Sequence, residues 1–330
     1  MNGGNGHHQS PTEIPVEPIG VRIPVSYLHG FGRPKRDVRS AVIASILFAV
    51  TVFSTLAVGT EFASAYRNGV PPFSNGSIFP YRAVLAHPAL LLTGFPFAFT
   101  LMGILLAHEL GHFFACRYYR IPASFPYFIP APTLIGTMGA FIRIRSPIIN
   151  RKALFDVGLA GPVVGFLFAL PALAVAIAMS KVVPGAQSQG WLVFGNPPLV
   201  KLLEATLRPN VRPGDLLLNP VGSAAWVGLF VTALNLLPAS QLDGGHIVYA
   251  VAPDKHRYLS LAVILALVPM SLLWSGWLIW AVFLLFIGFR HPPLLDRWES
   301  LDGRRRFWAI IALVIFLLCF TAKPFSVHAG

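Results

Sequence analysis

Residues 105–114 read LLAHELGHFF, and inside this apolar run His108, Glu109 and His112 stand in the order HExxH. On a helix, residues i and i+4 share one face, so both imidazoles can present a nitrogen to one ion. Glu109 follows about 100° further round the helix, within reach of a water activated at that ion. This is the chemistry of metal-assisted hydrolysis. The setting strengthens the reading. An ionised side chain at the centre of a membrane helix costs ~2.5–3.5 kcal/mol on insertion scales, so such groups persist where a function or partner compensates them.

Two histidines leave a catalytic zinc site one protein ligand short, because three ligands with an open fourth position are usual. The candidates lie in NLLPASQLDGGHIVYA, residues 235–250. Asp243 is the leading one. His246 is its rival, with orienting Asp243 or facing solvent as its other readings. Pro238 ends the helix before this stretch, and Gly244–Gly245 permit a tight turn.

These groups must be positioned by membrane helices. The chain has 330 residues, 55% hydrophobic and 12% charged, and a mean hydropathy of +0.66. A soluble protein carries about 25% charged residues. The expected fold class is an all-α polytopic membrane protein with about seven transmembrane helices: 41–59, 95–117, 153–179, 219–238, 258–273, 275–289 and 307–322. The piece 84–94 reads as re-entrant or interfacial. With the N-terminal tail in the cytoplasm, segments 1–40, 117–152, 253–257 and 290–306 share that side and hold 18 of the 25 Lys and Arg. That bias follows the positive-inside rule and puts the HExxH end and Asp243 in the same half of the membrane. It also accounts for the net charge of +12 without a nucleic-acid partner. Cys116 and Cys319 lie in or beside apolar runs without CxxC spacing, so no disulfide framework is expected.

The predicted organisation is a flexible cytoplasmic tail (1–40), an accessory span and loop (41–94), a catalytic membrane core (95–252) and C-terminal transmembrane helices (253–330). Two connections stand out. Residues 121–146 carry Pro122, Pro126, Pro130 and Pro132, then Gly136 and Gly139 before the alternating Phe141-Ile142-Arg143-Ile144-Arg145. That pattern predicts a short membrane-associated β-loop, with an inert connector as the other reading. Residues 180–218 form the other long connection, with a short helix at Leu199–Leu207.

HELGH in a transmembrane helix, followed by NLLPASQLDGGH, resembles the site-2 protease family of intramembrane zinc metalloproteases. The likeness spans roughly 95–250. It implies one Zn2+ per chain held by His108, His112 and Asp243, with Glu109 as catalytic acid/base. It implies that Asn235 helps position substrate or stabilise the oxyanion. Gly161-Pro162-Val163-Val164-Gly165 matches the family's GPxxG-like stretch, and 133–146 resembles its β-loop. An unwound substrate could add to that loop as a strand, which makes Gly136, Gly139, Phe141 and Arg143 candidate substrate-binding residues. The implied substrates are single-pass membrane proteins, in regulated intramembrane proteolysis. Relatives with a PDZ domain or a C-terminal sensor domain differ, since 180–218 is too short for the former and no room is expected for the latter. The rival function is a transporter or channel with a structural metal site. No transit peptide is visible, so a bacterial cytoplasmic membrane is the expected location, and oligomeric state is not legible.

Overall fold

The first helix, α1 (Val38–Asn68), is 31 residues long and turns its chemistry inside out. Thr51, Ser54, Thr55 and Thr60 are buried, while Ile43, Ile46, Phe48 and Phe53 face outward. That inversion suits lipid, where small and hydroxyl residues make the helix contacts. In this computed structural model residues 38–73, 80–186, 192–294, 296 and 299–327 are described. Of the tail expected over 1–40, residues 1–37 lie outside them and 38–40 begin α1. All elements below belong to the unit Val38–Gly330.

A short helix, α2 (Tyr81–Ala86), leads to a 3-10 segment, Pro88–Gly94, which runs straight into α3 (Phe95–Tyr118). Pro88 and Pro96 fall in first turns, where no backbone donor is lost. Of the stretch 84–94, Pro88–Gly94 is therefore continuous with the HELGH helix, while 84–86 belong to α2. Gly94 lies against α1 so closely that a Cβ added at Gly59 would sit 2.9 Å from its Cα.

A hairpin of β1 (Tyr127–Pro130) and β2 (Thr137–Phe141) follows, antiparallel, with a bulge between Phe128 and Pro130. Strand structure was expected as far as Arg145, but the ladder breaks after Phe141 opposite Pro126, which has no N–H to give. Pairing resumes where Ser124 N–H donates to the Arg143 carbonyl at 2.9 Å.

Helix α4 (Arg151–Met179) is capped by Asn150, whose side chain accepts from Ala153 N–H. Beyond it come β3 (Lys181–Val182), β4 (Leu192–Phe194), α5 (Pro198–Leu207), β5 (Leu216–Leu217) and α6 (Pro220–Asn235). The chain then runs through α7 (Asp243–Val251), α8 (Pro253–Met270), α9 (Gly276–Ile287), α10 (Gly303–Cys319) and β6 (Phe325–Val327). Helix α5 is the short helix expected at 199–207.

Among the described residues three stretches are long and apolar enough to cross a membrane: Val38–Asn68, Pro88–Tyr118 and Arg151–Met179. Helices α6 and α9 are apolar but have 16 and 12 residues. At 1.5 Å per residue they reach only ~24 and ~18 Å against a hydrocarbon core of ~30 Å. Length and composition thus support three of the seven expected crossings.

Polar contacts gather into two groups. In one, Arg305 binds Asp156 (2.5 Å) and Tyr119 (3.0 Å), Lys152 pairs with Glu299, and Arg151 donates to the Ala250 carbonyl at 2.8 Å. Asp156, near the start of α4, closes this cluster. Burial and the Asp156 carboxylate push the Tyr119 phenol up to about 12, so Tyr119 stays a donor to Asp156. In the other group Lys181 donates to the Tyr66 carbonyl at 3.0 Å, β3 pairs with β5, and β4 with β6. The first group joins segments that charge counting assigned to one side.

Candidate metal centre

Helix α3 buries its HELGH turns: His108, Glu109 and His112 are 4%, 5% and 7% exposed. Their inward aim depends on α4. A Cβ at Gly161 would overlap His112 Nε2, and one at Gly165 would lie 3.1 Å from His108 Nδ1. Gly111 packs as tightly, with an added Cβ 2.5 Å from the Ala160 carbonyl. The glycines of GPVVG therefore leave room for imidazoles, the tight-packing reading of that motif.

The tautomer of His112 follows from one bond. Its Nδ1 lies 2.7 Å from the Val157 carbonyl, which can only accept. Nδ1 thus carries the proton and leaves the Nε2 lone pair free for an ion. Nothing in the local sequence marked Val157, because a backbone acceptor has no side-chain signature.

Asp243 opens α7 and points back at the two histidines. Its Oδ2 lies 3.2 Å from His108 Nε2 and 3.3 Å from His112 Nε2, and the two nitrogens are 3.1 Å apart. Among the described residues, these three form the group of metal-ligand type, all ligand atoms within 4.8 Å. The donor set fits zinc. Three donors ~2.0–2.2 Å from one tetrahedral ion are separated by roughly 3.3 Å. The near-equilateral triangle is one face of such a tetrahedron and leaves the fourth corner open.

The turn that delivers Asp243 is built differently from the sequence expectation. Gly244 and Gly245 lie within the first turn of α7, and neither has positive φ. They are needed for close approach: a Cβ at Gly245 would lie 2.7 Å from the Ala239 carbonyl. The left-handed residue is Ser240, with φ 55. Three bonds hold it there. Its N–H donates to Ser260 Oγ (3.0 Å), its hydroxyl to the Gly288 carbonyl (2.6 Å), and its carbonyl accepts from His256 Nε2 (3.0 Å). Helix α8 and the end of α9 thereby set the position of the Asp243 turn.

His246 does not enter the triangle. Its Nδ1 is bonded to His291 Nε2 at 2.8 Å, and its Cβ packs where Gly158 leaves space. Asn235, the last residue of α6, places Nδ2 3.2 Å from His108 Nε2. The hairpin reaches the same site from the other side, where the Ile142 backbone, just past β2, lies near the Glu109 carboxylate.

The expected substrate-binding residues divide. Gly139 (φ 100) has open space beside it, and Gly136 (φ 78) lies on α1. Phe141 stacks on Tyr127 with centroids 5.5 Å apart. Arg143 lies beyond β2, its N–H bonded to Ser124 Oγ at 2.8 Å.

A family model described as peptidase family M50 matches residues 96–275. The chain is 34% identical over 223 residues to a probable zinc metalloprotease EGY1, chloroplastic, of Arabidopsis thaliana, covering 63% of this chain and 39% of the relative. The rice protein of the same name is 30% identical over 316 residues, covering 86% and 50%. A probable zinc metalloprotease EGY2, chloroplastic, of Arabidopsis thaliana is 30% identical over 248 residues, covering 72% and 43%. The chain thus spans half or less of the length of these curated relatives. Their names lend no support to the expected bacterial membrane.

Proposed function

The chain belongs to peptidase family M50, and on that premise we propose that it is a zinc-dependent intramembrane endopeptidase. Its substrates are membrane proteins, single-pass ones above all, cut in or near their transmembrane segments in regulated intramembrane proteolysis. The observation that carries this reading is the triangle of His108, His112 and Asp243, with separations of 3.1–3.3 Å and Glu109 buried beside it. The family match lends nothing to the rival expectation of a transporter or channel.

His108, His112 and Asp243 hold the ion, which when bound supplies Lewis acidity to a water and to the scissile carbonyl. Glu109 takes a proton from the water and returns it to the leaving amine. Asn235, whose Nδ2 lies 3.2 Å from His108 Nε2, donates to the carbonyl oxygen as negative charge develops. The hairpin receives the unwound substrate along β2, whose outer edge has no strand partner among the described residues. Gly139 leaves that edge unobstructed, and Phe141 and the backbone near Arg143 flank it.

The shorter helices complete a polytopic membrane bundle. Their outward residues, such as Leu272, Ile279, Phe286, Ile310 and Leu317, are large, apolar and exposed, as lipid contact requires. Basic residues at 117–152, 253–257 and 290–306 favour the cytoplasmic side for the N-terminus and the metal centre.

The test uses detergent-purified protein, bound-metal analysis and single-span reporters. Glu109→Gln is expected to keep zinc and lose cleavage by at least about a hundredfold. Equal cleavage by wild type and Glu109→Gln sinks the protease reading. Cysteine accessibility at 180–186 and 299–306 on the same face of the membrane sinks the orientation.

A further inference from the structure

Helix α1 lies outside residues 96–275, which the family model matches, yet it touches the hairpin along much of its length. The Ser40 hydroxyl is hydrogen-bonded to the Tyr127 hydroxyl and accepts from Arg145 Nη2 at 3.2 Å. Phe48 meets Phe128 edge-on, with ring centroids 5.2 Å apart. At the hairpin's apex Ser54 Oγ donates to the Gly136 carbonyl at 2.6 Å. The approach is backbone on backbone. A Cβ at Gly136 would sit 2.7 Å from the Ser54 carbonyl oxygen and 2.9 Å from Thr55 Cα.

Ser54 is 6% exposed and its bond is buried deep in α1. The carbonyl it serves also accepts from Ala131 N–H, at 3.3 Å, so Ser54 provides the shorter of the two bonds holding the apex. From Gly136 the chain passes through Thr137, whose hydroxyl braces the strand by donating to the Ile129 carbonyl at 2.8 Å and accepting from Gly139 N–H at 3.0 Å. It then reaches Ile142, whose backbone lies near the Glu109 carboxylate. One braced strand thus runs from Ser54 of α1 to the catalytic carboxylate. The base of α1 is itself fixed to the lead-in of α3 by the Gly59–Gly94 contact.

We infer that α1 is the seat of the hairpin and that Ser54 is a positioning residue for the substrate strand. The inference rests on the endopeptidase reading above. A strand added to β2 takes its register from β2, and a slip of one residue turns every side chain to the other face. The height of the apex on α1 therefore sets which peptide bond stands before Glu109. Ser54 touches no reacting atom and acts through Gly136.

The test compares full-length wild type, Ser54→Ala and Thr60→Ala on a single-span reporter. Thr60 is a control on the same helix, since its buried hydroxyl donates only to the Ala57 carbonyl of α1 itself. Ser54→Ala should raise KM by roughly twofold to tenfold with kcat nearly kept, as loss of one buried hydrogen bond allows. Mass spectrometry of its products should show added cleavage positions next to the wild-type one. Zinc content should be unchanged, and Thr60→Ala should match wild type in KM and products. Unaltered KM and cleavage position in Ser54→Ala overturn the inference, as does an equal effect of Thr60→Ala. If wild type cleaves no better than Glu109→Gln, the endopeptidase reading fails instead. The seat is then still tested by amide exchange, where Ser54→Ala should exchange faster over 137–142 and unchanged over 104–112. Equal protection of 137–142 in both proteins overturns it.

Discussion

The metal triangle and the hairpin sit side by side, and they are built by opposite means. The triangle is held by packing. Gly161, Gly165 and Gly111 bring α4 and α3 together with no space left for a methyl group, and Ser240 ties the Asp243 turn to α8 and α9. The hairpin is two short strands whose outer edge is unpaired among the described residues, supported on α1 by hydroxyl bonds and the Phe48–Phe128 contact. Packed helices resist small displacements, because every shift costs many contacts at once. A hairpin held by single hydrogen bonds yields more easily. On the endopeptidase reading proposed above, the difference teaches a division of labour: the groups proposed for ion and base are fixed in advance, and the adaptable part is the one proposed to accept unwound chain.

That division can be broken or sharpened by substitution, from the largest effect downward. Asp243→Ala removes one corner of the triangle. It should abolish both bound zinc and cleavage, and full zinc content measured by metal analysis would mean that another residue completes the site. Gly161→Ala adds a methyl group where His112 Nε2 lies. Zinc affinity should fall by about 10–100-fold, the scale seen for groups that orient a ligand, as read by competition with a chelator. Wild-type affinity would show that the packing is looser than the contacts require.

Gly139→Ala belongs to the hairpin and should divide the observables the other way. At φ 100 a side chain is strained by about 1–3 kcal/mol. KM for a membrane reporter should therefore rise several-fold while zinc content stays at wild type. A loss of zinc would merge the two regions into one unit. Arg305→Ala touches neither. It takes from Asp156 its charged partner, a change of about 2 kcal/mol by the worth of charged hydrogen bonds. Tm should drop by roughly 4–8 °C with kcat unchanged, and a large loss of kcat would mean that this cluster couples to the centre.

Legibility followed the same line. HExxH at helical spacing named three site residues from sequence, since i and i+4 on a helix meet whatever the fold around them. The Asp243 motif was legible through residue type, and the alternation of basic segments gave the expectation that it shares the HExxH side of the membrane. GPVVG was legible as close packing, but its occupant, an imidazole, was not. Gly244 and Gly245 were legible as glycines that permit a tight turn, but the left-handed residue before Asp243, Ser240, was not. Three tertiary hydrogen bonds hold Ser240 there.

By itself, then, the sequence determined the apolar helices, the ligand types, and two histidines with a carboxylate neighbour on one helix turn. All of these depend on local periodicity and on the cost of polar groups in hydrocarbon. Only the tertiary structure decided that Asp243 and not His246 closes the triangle, that the Val157 carbonyl sets the His112 tautomer, and that Ser54 supports the hairpin. Each of those turns on a distance of a few ångströms between segments remote in the chain, often to a backbone atom that every residue carries. Composition and spacing hold no record of such distances.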